Sequence, residues 1–178
     1  ATWSNPALVN DDANTRSTDQ FQPSIAAGPA GAVAVAFYDR RATCPTDPDP
    51  TIIQAHTGDA NTCIEVSLQP YKDDGTSAGA VPVSGNVRVS EFPWDPDQPE
   101  QKVDGISQYP CAGHRDPCPV GRGFIGDYFG LAISNENVYA LFVSTHYPSD
   151  VTADGGGPVY YQQQVLAKVP RTTFGTGY

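Results

Sequence analysis

The sequence predicts an all-β fold of repeated antiparallel hairpins, and three observations carry that prediction. Two stretches are versions of one another: Gln22-Pro23-Ser24-Ile25-Ala26-Ala27-Gly28-Pro29-Ala30-Gly31-Ala32-Val33-Ala34-Val35-Ala36-Phe37-Tyr38-Asp39 and Tyr128-Phe129-Gly130-Leu131-Ala132-Ile133-Ser134-Asn135-Glu136-Asn137-Val138-Tyr139-Ala140-Leu141-Phe142-Val143-Ser144. Each is a short apolar run, a turn of Gly, Pro or Asn, and a longer apolar run that ends in a polar residue. The 178 residues include 17 Gly and 17 Pro, which is too much turn chemistry for a helical protein and suits many short strands. No segment carries a helical apolar period. A repeated hairpin in such a chain points to a repeat all-β architecture, of which the propeller is the commonest, yet two repeats cannot close a ring.

Alternation and β-branched content place the strands in order. Residues 22–27 and 33–38 pair across Gly28-Pro29-Ala30-Gly31. Val33, Val35 and Phe37 share one face of the second strand, and Ala34 and Ala36 lie on the other. A face of alanines suits close packing of one sheet on another. Residues 39–62 form a long loop rich in Asp, Pro and Thr. Strands follow at 64–69 and 86–90, with Lys72-Asp73-Asp74-Gly75-Thr76 as a turn between them. Residues 91–121 read as irregular. A second hairpin pairs 124–133 with 138–144, residues 148–158 form a Gly/Asp/Pro loop, and 160–169 alternates as the last strand. These roughly seven strands fall into two sets of about four, in blade-like units near 1–97 and 98–178 of a single β domain. They make two propeller blades with large insertions, or one irregular β-sandwich.

Composition narrows the function classes. Hydrophobic residues are 39% and aromatics 10%, enough to argue against disorder. The formal net charge of -10 would be repelled by phosphate backbones, which excludes general nucleic-acid binding. No stretch approaches the roughly 20 apolar residues of a membrane helix. The chain opens on Ala, has no Met and shows no signal peptide, as a mature or trimmed product would. No cofactor is required by any motif. Asp11-Asp12, Asp47-Pro48-Asp49 and Asp95-Pro96-Asp97 offer carboxylates to a cation, calcium being the ion suited to them, although none has EF-hand spacing.

Four cysteines allow three pairings. Local pairing needs the least folding information and favours Cys44–Cys63 and Cys111–Cys118. A zinc site is the alternative, but it needs close pairs such as Cys-x-x-Cys, and His114 alone does not make one. Disulfides place the chain in a secreted, extracellular setting.

Several of these segments resemble a known family. Asp19-Gln20-Phe21-Gln22-Pro23-Ser24-Ile25-Ala26, with Ala36-Phe37-Tyr38-Asp39-Arg40-Arg41, is similar to blades of secreted sialidase-like proteins with Asp-box repeats. So is Phe124-Ile125-Gly126-Asp127-Tyr128-Phe129-Gly130-Leu131-Ala132. Ala1-Thr2-Trp3-Ser4 resembles the tail of an Asp box, Ser-x-Asp-x-Gly-x-Thr-Trp, and Asp74-Gly75-Thr76-Ser77 is a degenerate second match. The resemblance covers roughly two thirds of the chain. It implies about two four-stranded antiparallel blades of a six-bladed β-propeller, with long disulfide-stapled loops, from the C-terminal part of a larger protein. It also implies glycoside hydrolysis of the exo-sialidase kind in the parent, or else a non-catalytic glycan- or surface-binding propeller, or a purely structural fragment. The implied partners are a carbohydrate or glycoconjugate, and either the missing blades or another copy of the chain.

The same resemblance nominates residues. Sialidases use a tyrosine nucleophile, whose neutrality avoids repulsion from an anionic sugar, and arginines that grip a carboxylate bidentately. Tyr128 lies just before a hairpin, as the family's nucleophile does, and Asp127 beside it would assist as a base or bind a cation. The alternatives are a strand tyrosine between blades and an aspartate capping its own turn. Arg40 and Arg41 follow a strand at a loop mouth and would face substrate, or else pair with the Asp-rich loop. Arg122, between Gly121 and Gly123, would grip an anion or simply mark a turn. His146 occupies the position after the second hairpin that Arg40 and Arg41 occupy after the first. Trp94, among Pro and Asp, reads as an exposed platform for a sugar, whereas Trp3 reads as core. The family's first arginine and its acid/base aspartate belong to early blades that this chain lacks.

Overall fold

The computed structural model describes residues 5–13, 17–46, 57–76, 79–96, 101–108, 125–175 and 177–178. Trp3, Cys111, His114, Cys118 and Arg122 lie outside the described residues, as does the Asp-box tail at the N-terminus. Among the described residues every regular element longer than a single 3-10 turn is a strand, and all named pairings are antiparallel.

The first sheet contains β1 (Gln20–Ala27), β2 (Ala32–Asp39), β3 (Glu65–Lys72) and β4 (Val81–Pro82) in that order, with β5 (Val87–Arg88) also on β3. The hairpin β1–β2 closes on Ala27 opposite Val33 and turns through Pro29–Gly31. Gly31 must be glycine: its φ is +73°, and a Cβ there would sit 1.9 Å from the Asp73 carbonyl oxygen. Between β3 and β4, the Asp73 and Asp74 carboxylates accept the N–H groups of Gly75 and Thr76 at 2.8 and 2.9 Å. The degenerate box at 74–77 therefore begins as an Asx-stabilised turn.

A second sheet has the order β12–β9–β8, from β8 (Gly130–Ile133), β9 (Asn137–Ser144) and β12 (Gln163–Pro170). Its hairpin closes on Ile133 opposite Val138. Two short hairpins complete the described structure: β6 (Gln101–Val103) with β7 (Ile106–Gln108), and β10 (Pro148–Thr152) with β11 (Pro158–Tyr160). Both fall where the sequence reads as irregular or looped. They are tied together, because the Asp154 carboxylate accepts the N–H groups of Asp104 and Gly105, each at 2.8 Å. Gln101 adds two further bonds, to Tyr160 N–H and the Pro158 carbonyl, both 2.8 Å.

The two repeated hairpins face one another. Ala32, Ala34 and Ala36 of β2 are fully buried, with Tyr38 on the same face. Val138, Ala140 and Phe142 of β9 join them in one core with Ile64, Val66, Leu68, Trp94, Phe129, Phe174 and Tyr178. The alanine face thus does what its small side chains suit it to do, which is to let two sheets approach closely. At the turn end the approach is tighter still: a Cβ on Gly28 would lie 2.5 Å from the Ile133 Cβ. Tyr38 fastens the opposite end by accepting the Val143 N–H at 2.8 Å, and burial pushes its phenol up to about 12.

The opposite face of each sheet leaves apolar side chains exposed, although on the first sheet Phe37, Asp39, Glu65, Ser67 and Gln69 of that face are buried. On the first, Ile25 is 71% exposed beside its partner Val35. On the second, Leu141 and Leu166 are register partners, 41% and 61% exposed. A groove of about 330 Å³ runs along the first of these faces, lined by Leu8, Val9, Phe21, Pro23, Val35 and Phe37.

One disulfide, Cys44–Cys63, joins Cα atoms 5.1 Å apart and closes the loop between β2 and β3. The proposed Cys111–Cys118 pair lies outside the described residues. No helix among the described residues is long and apolar enough to cross a membrane.

Candidate functional site

Because the turn ends of the two hairpins coincide at Gly28 and Ile133, their open ends coincide too. That end gathers the start of β1, the approach to β8 and the exits of β2 and β9. The two hairpins are bonded there: the Gln22 side-chain amide of β1 donates to the carbonyl oxygen of Gly126, ahead of β8. Immediately after comes Asp127, exposed, and then Tyr128, whose exposure of 91% makes it the most exposed large apolar-bodied side chain described. The sequence places Tyr128 in or beside a strand, but the chain enters β8 only at Gly130.

Arg40 leaves β2 at the same end. Its N–H donates to the Asp19 carbonyl at 3.1 Å, its guanidinium lies 5.5 Å over the Phe21 ring, and the Asp19 carboxylate is 3.9 Å away. Phe21 in turn stacks on Tyr38, so the core holds this cation in place from below. The Arg40 Nε is buried with no hydrogen-bond partner among the described residues. His146, after β9, stacks on Phe92 at 4.9 Å and meets the Tyr147 ring edge-on at 5.5 Å. Arg40, Asp127, Tyr128 and His146 therefore share one end of the sheet pair.

Two nominated residues do not belong with them. Trp94 is 1% exposed, not an exposed sugar platform. It bridges Ile64 through paired backbone bonds of 2.8 and 2.9 Å and stacks on Phe142 at 6.0 Å. The core buries the whole indole, which corrects its assignment as an exposed substrate contact. Arg41 is likewise committed to protein. Its Nε donates to Asp39 at 2.6 Å, one terminal nitrogen to Asp11 at 2.6 Å, and the other to Asn10 and Asn86 at 2.8 and 2.7 Å. The partners are not in the Asp-rich loop that follows it, but in the N-terminal segment, at the end of β2 and just before β5. Arg41 thus ties residues 10 and 11 to the first sheet instead of facing substrate.

Asp39 is the buried centre of that tie. It is fully buried and accepts from Arg41, from the Ser67 hydroxyl at 2.8 Å and from Gln20 at 3.2 Å. Burial opposes ionisation of Asp11, but the Arg41 guanidinium and the Asn86 N–H outweigh it and hold the carboxyl below the ordinary range. Asp11 is therefore spent on Arg41 rather than left for a cation. Asp95 is fully buried, and Asp47, Asp49 and Asp97 lie outside the described residues. Among the described residues no group of three or more His, Cys, Asp or Glu is placed to hold a metal.

Glu65, opposite Asp39 on β3, behaves in the reverse sense. Burial, then the Asp39 charge, raises its carboxyl above the ordinary glutamate range, and Arg88 at 3.8 Å offsets this only in part. A raised carboxyl binds its proton more tightly in the folded state. Its stabilising effect is fully present below the unfolded value and is lost as pH rises through the folded one. Glu65→Gln removes that loss, so its urea midpoint should exceed that of the unsubstituted chain at pH 7. The gap should close below about pH 4. A lower midpoint for the variant at pH 7 would contradict this account.

Together these features define a class no narrower than an all-β protein of stacked antiparallel sheets carrying a disulfide. Comparison with protein-family models, curated proteins and solved structures yields no match.

Proposed function

We propose that the two sheets are adjoining blades of a secreted sialidase-like β-propeller, and that the parent protein hydrolyses glycosides at the end where Tyr128 stands. The observation that carries this reading is the pairing of two repeated hairpins, the alanine face of β2 against Val138, Ala140 and Phe142 of β9, with Gln22 of β1 bonded to Gly126 ahead of β8. In a propeller each blade packs on the next and the first strands line the centre. The exposed apolar side chains of Ile25 and of Leu141 and Leu166 fit further blades on both sides. Those blades would come from a longer chain or from another copy. The Cys44–Cys63 disulfide fits an oxidising, extracellular setting.

On this reading Tyr128 is the nucleophile, Asp127 is its neighbouring carboxylate, and Arg40 grips an anionic sugar with His146 on the rim. Arg122 would add a second cation. The chemistry calls for no cofactor, and a calcium ion would serve the acidic loops rather than the reaction. The full-length parent should release the fluorophore from a fluorogenic sialoside, and Tyr128→Phe should abolish that release while leaving binding intact. A second reading, glycan binding without turnover, draws on the engagement of Arg41 with protein, which leaves fewer cations for a carboxylate. Binding of the sialoside with no release by the parent would select it. Neither binding nor release would remove both.

A further inference from the structure

We propose that Gln22 is a positioning residue that holds the Asp127–Tyr128 turn in place. The role of Tyr128 rests on the functional reading above, but the tether itself does not. Gln22 has φ +50°, a left-handed conformation that side-chain-bearing residues avoid. It also precedes Pro23, a neighbour that favours extended backbone. Two local preferences thus oppose its geometry, so a tertiary contact must sustain it. The conformation belongs to a bulge: Phe21 pairs with Tyr38 but Ser24 with Ala36, which leaves one extra residue on β1. The bulge turns Gln22 out of the ladder, and its side-chain amide reaches the Gly126 carbonyl, 104 positions away.

What lies on the far side gives this contact its purpose. Gly126 is itself left-handed, at φ +96°, and the chain runs on through Asp127 to Tyr128 before β8 begins. Tyr128 makes no side-chain hydrogen bond among the described residues and packs against little, being 91% exposed. Ile125 and Phe129 on either side are buried in the core, so the segment is pinned at its ends while Asp127 and Tyr128 stand exposed between them. Gln22 adds a hydrogen bond to the backbone just before that exposed pair. A glycine would form the same bulge without steric penalty, so the side chain here is present for its reach rather than for the backbone.

Two substitutions separate reach from backbone. Gln22→Gly keeps the left-handed bulge and deletes the tether. Gln22→Glu keeps the length and deletes the donor. In tyrosine-labelled protein, 15N relaxation should show the Tyr128 amide order parameter falling from about 0.85 to below about 0.6 in both variants. The melting temperature of the Gly variant should stay within a few degrees of the parent's. In the full-length parent, sialoside kcat/KM should fall about 100-fold, as displacement of a reacting group by about 1 Å would cause. If the Gly variant unfolds, the Glu variant decides. An unchanged order parameter at Tyr128 overturns the proposal, whatever happens to activity. A parent without sialoside activity removes the functional reading and leaves the order parameter to judge the tether.

Discussion

Arg41→Ala should destabilise the chain by about 3–5 kcal/mol, the cost of stranding a buried charge. The charge is Asp39, fully buried at the end of β2. In the variant it would keep the Ser67 hydroxyl and the Gln20 amide but lose its cation. Three further groups each lose one partner at the same time, because Asp11, Asn10 and Asn86 all bond the same guanidinium. The segment carrying Asn10 and Asp11, which walls the apolar groove through Leu8 and Val9, would then be held by its bonds to Asn86. A double variant, Arg41→Ala with Asp39→Asn, removes the stranded charge and should be less damaged than Arg41→Ala alone. That non-additivity marks the two residues as one unit. Urea unfolding of the single and double variants checks both statements. A loss below about 1 kcal/mol for Arg41→Ala would show an exposed, screened pair instead.

Trp94→Ala should cost a similar amount, about 3–5 kcal/mol, for a different reason. Its indole stacks on Phe142 at 6.0 Å and meets Tyr38 edge-on at 6.1 Å, so truncation opens a cavity between the sheets. The indole N–H has no hydrogen-bond partner among the described residues. Trp94→Phe therefore forfeits no polar contact and should cost distinctly less. A sugar platform would behave the other way, with weaker glycan binding and an unchanged melting temperature. Thermal unfolding of both variants distinguishes the two roles.

The repeated hairpins were legible because each carries its own alternation and its own turn chemistry. The face of alanines on β2 announced close sheet packing, and it is buried as that pattern requires. The hairpin β6–β7 escaped notice amid Pro and Asp, although a signal was present: Asp104-Gly105, between Val103 and Ile106, has both residues at positive φ, as a two-residue hairpin turn demands. Trp94 misled because its neighbours are polar, whereas its burial depends on Phe142 and Tyr38, which are remote in sequence. Arg41 misled for the same reason, since nothing local says that Asp11 and Asn86 will converge on it. Gln22 had no signal at all. Left-handed backbone is announced by Gly or Asn, and here a contact 104 positions away stands in for that preference.

In a propeller, further blades cover both outer faces of this sheet pair. Native mass spectrometry of the protein isolated from its source addresses this in one measurement. A particle larger than one 178-residue chain, whether a longer polypeptide or an assembly of copies, is the expected result. A monodisperse particle with the mass of a single 178-residue chain would contradict the propeller.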